Sequence, residues 1–142
     1  MSTDGDVVLD ASTITSYLLE QARRDDVFGV MRTTLERGCR LLTVDLAYKE
    51  VANALWRACV LRNLIDEKAV IDSLDSLYGL PLEPVRQDGG LVTRAVEISL
   101  ESKLSVYDSL YVAVAEREKA DLFTLDEKQR LKAKKYVNTR QI

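Results

Sequence analysis

The sequence contains no histidine. That absence removes Ser-His-Asp and Cys-His sites within the chain, and histidine-based general acid–base chemistry with them. There are 2 cysteines, Cys39 and Cys59, isolated and in no C-x-x-C pair, so a zinc site has no ligand set. Both are expected to stay reduced and pack as small hydrophobes, a disulfide between them being the less expected state of an intracellular chain. With 6 glycines and 2 prolines there is no Gly-rich turn to cradle a phosphate and no linker between domains. No apolar run is long enough to span a bilayer. The start, MSTDGDVV, is acidic and lacks a signal-peptide pattern. A cytoplasmic protein with one domain over residues 1–142 is the expectation, and any catalysis must fall to carboxylates, lysines, hydroxyls or a hard metal ion.

What is there suits a globular core: 46% of 142 residues are hydrophobic and 30% charged. The net charge is −3, but it is unevenly spread. Residues 128–142 carry Lys128, Arg130, Lys132, Lys134, Lys135 and Arg140 with no acid, which leaves the rest of the chain at −9. A basic end on an acidic body attracts polyanions locally, although a solvated final helix explains it equally well.

Strand and helix patterns alternate. Strands are expected at 6–10, 40–44, 82–85 and 121–125, with "YVN" as an edge strand. Helices are expected at 13–22 (capped by Ser12 or Thr13), 26–38, 45–63 (capped by Asp45), 66–79, 91–102, 105–120 and 127–134. Such alternation predicts an α/β fold with a mostly parallel sheet and helices on both faces. Open sheets of this kind collect ligands at the carboxyl ends of their strands.

Four acids return to that edge. Asp10 ends the first strand in "VVLDASTI", and Asp126 ends the strand in "LFTLDEKQRL". Asp108 lies in the first turn of the helix that precedes this last strand. Glu50 lies in the second turn of the helix that follows "RLLTV", and Asn53 and Arg57 share its polar stripe at i+3 and i+7. No lysine or arginine stands at 46 or 54 to pair with Glu50. Each acid also has a plain reading. Asp10 and Asp126 are placed to cap helices, Ser105-x-x-Asp108 resembles a capping box, and Glu50 is free to be solvated. Four capping acids gathered at one edge by accident is the less economical account. Like charges about 4 Å apart repel by about 4 kcal/mol at an effective dielectric near 20, so the cluster must protonate or bind a cation. An all-oxygen, histidine-free set suits Mg²⁺ or Mn²⁺. Such ions polarise phosphoryl oxygens and activate water, which points to a phosphodiester substrate.

The pieces "VVLDASTI", "YKEVANAL", "YDSLYVAVA" and "LFTLDEKQRL", in this order and spacing, resemble the PIN domain, and within it the VapC-type toxins of toxin–antitoxin pairs. The resemblance covers the chain nearly end to end. It implies a three-layer fold with about five mostly parallel strands and an Mg²⁺- or Mn²⁺-dependent endoribonuclease with Asp10, Glu50, Asp108 and Asp126 at the acidic positions. Asp10 and Asp108 would be the most direct metal ligands. Ser12, Asn53 and Thr124 match the supporting polar positions. It also implies a homodimer held inactive by a small antitoxin of VapB type. RNA approaching this acidic pocket needs positive charge at its rim, for which Arg57, Lys128 and Arg130 are candidates, with Lys49 and Lys103 behind them. Tyr17, Tyr107 and Tyr111 are placed either to stack on bases or to fill the core. Without a histidine to deprotonate a 2′-OH, hydrolysis to 5′-phosphate and 3′-hydroxyl ends is expected. A HAD-type phosphatase would want a second Asp where Ser12 stands, and a receiver domain an acid pair beside strand one. A catalytically inactive PIN-like module that binds RNA or protein is the remaining alternative.

Overall fold

In the computed structural model, residues 5–141 are described; residues 1–4 of the acidic start lie outside them. Strand β1, Val7–Leu9, is apolar and wholly buried. Helix α1, Ala11–Leu18, follows at once because Asp10 caps it, its Oδ1 accepting the Thr13 amide at 3.0 Å. The expected helix over 13–22, capped by Ser12 or Thr13, thus starts two residues earlier, since the carboxylate reaches the free amide first. The helix stops at Leu18, and Glu20 beyond it takes a left-handed φ of 52°. Helix α2, Arg24–Glu36, ends before Gly38, whose φ of 74° turns the chain into strand β2, Leu41–Val44.

Helix α3, Ala47–Val60, lacks the Asp45 cap that the sequence suggested. Asp45 instead accepts hydrogen bonds from the Gln87 side chain (2.8 Å) and amide (3.4 Å), which ties the entry of α3 to the segment after strand β3, Glu83–Val85. Helix α4, Glu67–Gly79, is capped by Asp66. Helix α5, Gly89–Ser102, is capped by Asp88 and so begins two residues before the expected 91. Helix α6, Val106–Glu118, takes Ser105 as its cap. Strand β4, Asp121–Phe123, and helix α7, Glu127–Ala133, complete the order, with Asp126 capping α7.

The four strands are parallel throughout and lie in the order β3-β2-β1-β4. A sheet of about five strands was expected. The fifth, at "YVN", is reduced to one bridge between Leu122 and Thr139, with the Arg140 guanidinium 2.9 Å from the Asp121 carboxylate beside it. Both faces of the sheet are covered. Helix α6 is the least amphipathic element, with residues 109–115 all buried, because it is wedged between α5 and the strands. Amphipathic α3 turns Ala47, Val51, Leu55 and Ala58 inward, the stripe its sequence predicts. Among the described residues no helix is long and apolar enough to cross a membrane.

This topology decides where a site can form. The chain leaves β1 toward β2 and β3, then returns to place β4 on the other side of β1. Connections therefore diverge at the carboxyl ends of β1 and β4, and a crevice opens there. Asp10 and Thr124 are the residues that immediately follow these two strands.

Candidate active site

Asp10 lies at the floor of that crevice, 4% exposed. Its Oδ1 accepts from Ser12 Oγ (2.7 Å), the Thr13 amide (3.0 Å) and Thr13 Oγ1 (2.9 Å). Its Oδ2 accepts from Thr124 Oγ1 at 2.5 Å. The capping role is therefore real, and it also holds the carboxylate rigidly. Burial pushes the Asp10 carboxyl above its ordinary range, against the lowering effect of the Thr124, Thr13 and Ser12 hydrogen bonds.

Thr124 does more than hold Asp10. Its oxygen accepts the Asp126 amide at 3.0 Å and lies 3.1 Å from Gln129 Oε1. The Gln129 side-chain nitrogen donates to the backbone carbonyl of Asp108 at 3.3 Å. The end of β4, the first turn of α7 and the first turn of α6 are thus laced together around Asp10.

Asp108 is half-buried in the first turn of α6, its amide bound to Ser105 Oγ at 3.0 Å. Burial raises its carboxyl, and the charges of Asp10 and Asp126 raise it further, while Ser105 and Lys128 pull the other way. Glu50 arrives from α3. Burial raises it most; the Tyr111 hydrogen bond opposes this, and the charges of Asp108 and Asp10 add to it. Asp126 caps α7 through the Gln129 amide at 3.1 Å and enters the group through Asp108. Asp10 acts on both Glu50 and Asp108, and Asp126 acts on Asp108, so the four acids form a linked group. Among the described residues no three of them close into a ready-made coordination cage.

Beside the acids runs a groove of about 430 Å³ walled by Ser12, Thr15, Glu50, Asn53, Arg57 and Arg62. Asn53 and Arg57 therefore stand where the polar stripe of α3 predicts, next to Glu50. Lys128 lies near enough to act on Asp108. Arg130 faces a different depression, shared with Arg23, Arg140 and Thr124, and pairs with Glu127 at 3.7 Å.

Three members of the network have site contacts that the sequence does not announce. Thr13 was read only as a cap, although its hydroxyl bridges Asp10 and the Phe123 carbonyl (3.0 Å). Gln129 is 1% exposed, and its position three residues after Asp126 was the available signal. Tyr111, three residues after Asp108, is 1% exposed. Its ring belongs to the core and is closed to base stacking, while its hydroxyl donates to Glu50 Oε1 at 2.5 Å. Tyr17 stacks on Phe28 under Arg24, and Tyr107 is exposed.

Comparison with known proteins accords with this geometry. A family model described as PIN domain matches residues 7–135. Ribonuclease VapC3 of Pyrobaculum aerophilum is 31% identical over 121 residues, covering 84% of this chain and 88% of the relative. The crystal structure of PAE2754 from the same organism superposes with a TM-score of 0.71 at 22% identity, over 98% of this chain and 92% of the other. VapBC2 from Rickettsia felis, solved bound to a DNA fragment from its promoter, gives 0.70 at 13% identity, over 95% and 97%. The two structures, at these identities, speak for the fold alone.

Proposed function

The chain belongs to the PIN-domain family, and from that premise we propose that it is a divalent-metal-dependent endoribonuclease, the toxin of a toxin–antitoxin pair. The observation that carries this reading is the gathering of acids around the buried Asp10 at the carboxyl end of β1: its charge acts on Glu50 and Asp108, and Asp126 acts on Asp108. The relatedness to a ribonuclease of VapC type supports the choice of RNA.

The residues fit an Mg²⁺ or Mn²⁺ ion. Asp10 and Asp108 are the most direct holders, with Glu50 and Asp126 completing the set or acting through water. A divalent ion there supplies Lewis acidity that polarises a phosphoryl oxygen, activates water and steadies the leaving oxygen. The chain's own share is positional. Thr124, Thr13 and Ser12 keep the Asp10 carboxylate in one orientation before substrate arrives, so little reorganisation is needed during the reaction. Gln129 holds the first turn of α6, and with it Asp108, against the same threonine. Arg57 and Lys128 draw the phosphate backbone toward an otherwise repulsive acidic pocket. Arg130 extends this attraction past Thr124. Hydrolysis leaves 5′-phosphate and 3′-hydroxyl ends. Homodimerisation and restraint by a small VapB-type antitoxin complete the reading, in keeping with the VapC-type relative.

Incubation of purified protein with RNA and Mn²⁺ or Mg²⁺, with and without EDTA, tests the proposal. Cleavage that EDTA abolishes and that Asp10→Asn loses, with the fold retained, is the expected result. RNA that is bound but never cut under any divalent ion would mark the chain as a binding module instead.

A further inference from the structure

The proposed activity assigns no task to Tyr111. Its ring is buried between the sheet and the helices, and its hydroxyl is the donor to Glu50 Oε1 across 61 residues of chain. The pair joins α6 to α3, the two elements that deliver Asp108 and Glu50.

A phenol carries one proton and donates it to one acceptor. Glu50 is a long side chain with several rotatable bonds and no basic neighbour one turn away at 46 or 54. Left alone it would sample many positions at the groove wall. Bound by Tyr111 it is held by Oε1, and Oε2 is the oxygen that the phenol leaves unengaged. We propose that Tyr111 is a positioning residue that restricts Glu50 to a single available oxygen, and so biases the acid site toward a small octahedral ion and against Ca²⁺. The reason lies in coordination habits. Ca²⁺ takes six to eight oxygens and favours carboxylates that offer both, whereas Mg²⁺ is bound through one or two carboxylates and retained water. This inference rests on the reading of Glu50 as a metal holder.

The test uses the full chain, with Tyr111→Phe and Glu50→Gln alone and combined. Mn²⁺ binding is followed by electron paramagnetic resonance, with Ca²⁺ as competitor, beside circular dichroism and RNA cleavage kinetics. Tyr111→Phe retains the buried ring and is expected to keep the far-ultraviolet spectrum. It should bind Mn²⁺ roughly tenfold more weakly, as loss of an orienting partner commonly does, and Ca²⁺ should displace Mn²⁺ at a lower ratio than in wild type. kcat should fall with KM for RNA unchanged, and in the Glu50→Gln background the Tyr111 change should add nothing. Wild-type Mn²⁺ affinity and Ca²⁺ competition in Tyr111→Phe, beside a weakened Glu50→Gln, would overturn the role of Tyr111 and leave Glu50 as a holder. Equal weakening for both ions would overturn the selectivity. Wild-type Mn²⁺ binding by Glu50→Gln would remove Glu50 from the metal set, and the inference with it.

Discussion

Stripped of divalent ions, this protein is expected to become more stable as the pH falls from neutral toward the ordinary carboxylate range, the reverse of ordinary acid denaturation. Asp10, Glu50 and Asp108 all have folded carboxyls raised above their ordinary values of 3.8, 4.5 and 3.8, chiefly by burial, and in Glu50 and Asp108 also by neighbouring negative charge. Between those values and the raised ones the folded state binds protons that the unfolded chain does not. The slope of unfolding free energy against pH is therefore negative in that window. A buried group protonated only in the folded state contributes about 1.4 kcal/mol per pH unit. Asp10 is the group to which this applies fully; Glu50 and Asp108 are half-buried, and solvent screening makes their shares smaller. For 142 residues the unfolding entropy is about 0.3 kcal/mol per degree, so Asp10 alone moves the melting midpoint by about 4–5 °C per pH unit. Below the ordinary carboxylate range the sign reverses. Glu116, held low by its hydrogen bonds from Arg94, loses its stabilising effect as it protonates. The optimum therefore falls close to the ordinary carboxylate range. Melting curves from pH 4 to 8 in EDTA, repeated in Mn²⁺, check this. Mn²⁺ should stabilise most at high pH and flatten the slope, and Asp10→Asn should raise the midpoint at pH 8 and shallow the slope. A metal-free wild-type midpoint that is flat, or that rises from pH 5 to 8, would refute the reasoning.

Asp10→Asn should lower RNA cleavage by at least about 100-fold, since it removes the charge around which the site is built; a wild-type rate in a gel assay would exclude Asp10 from the site. Thr124→Val deletes the donor to Asp10 and the acceptor for the Asp126 amide, and should cost about 1–3 kcal/mol in urea titrations, together with a fall in kcat. Arg57→Ala, on the exposed groove wall, should raise KM with kcat little changed and reduce the salt dependence of RNA binding by about one counterion. Leu122→Ala, in the middle of β4 and 0% exposed, should cost about 2–5 kcal/mol by cavity formation, read from the denaturation midpoint.

The element order was legible because most of its signals are local. The apolar triplet 7–9, the stripe 47, 51, 55, 58 and the capping acids Asp10 and Asp126 each act within a few residues. The mistakes were local signals overruled by distant partners. Asp45 has the spacing of a cap, yet Gln87, 42 residues away, takes its oxygens. "YVN" has strand character, but beside β4 the pairing reduces to the bridge at Thr139. Asp10 and Asp126 both cap helices, as their plain reading has it, and the same position after a strand leaves them at the crevice.

The sequence by itself determined the alternation of strands and helices, the exclusion of histidine chemistry, and the four acids that topology returns to one edge. These follow from periodicity, composition and the length of each connection, which are properties of the chain alone. Only the tertiary structure decided that Thr124 grips Asp10, that Gln129 reaches the Asp108 carbonyl of α6, and that Tyr111 turns from the core to hold Glu50. Those contacts span 21 to 114 residues. At such separations a partner is chosen by packing in three dimensions, which no local pattern encodes.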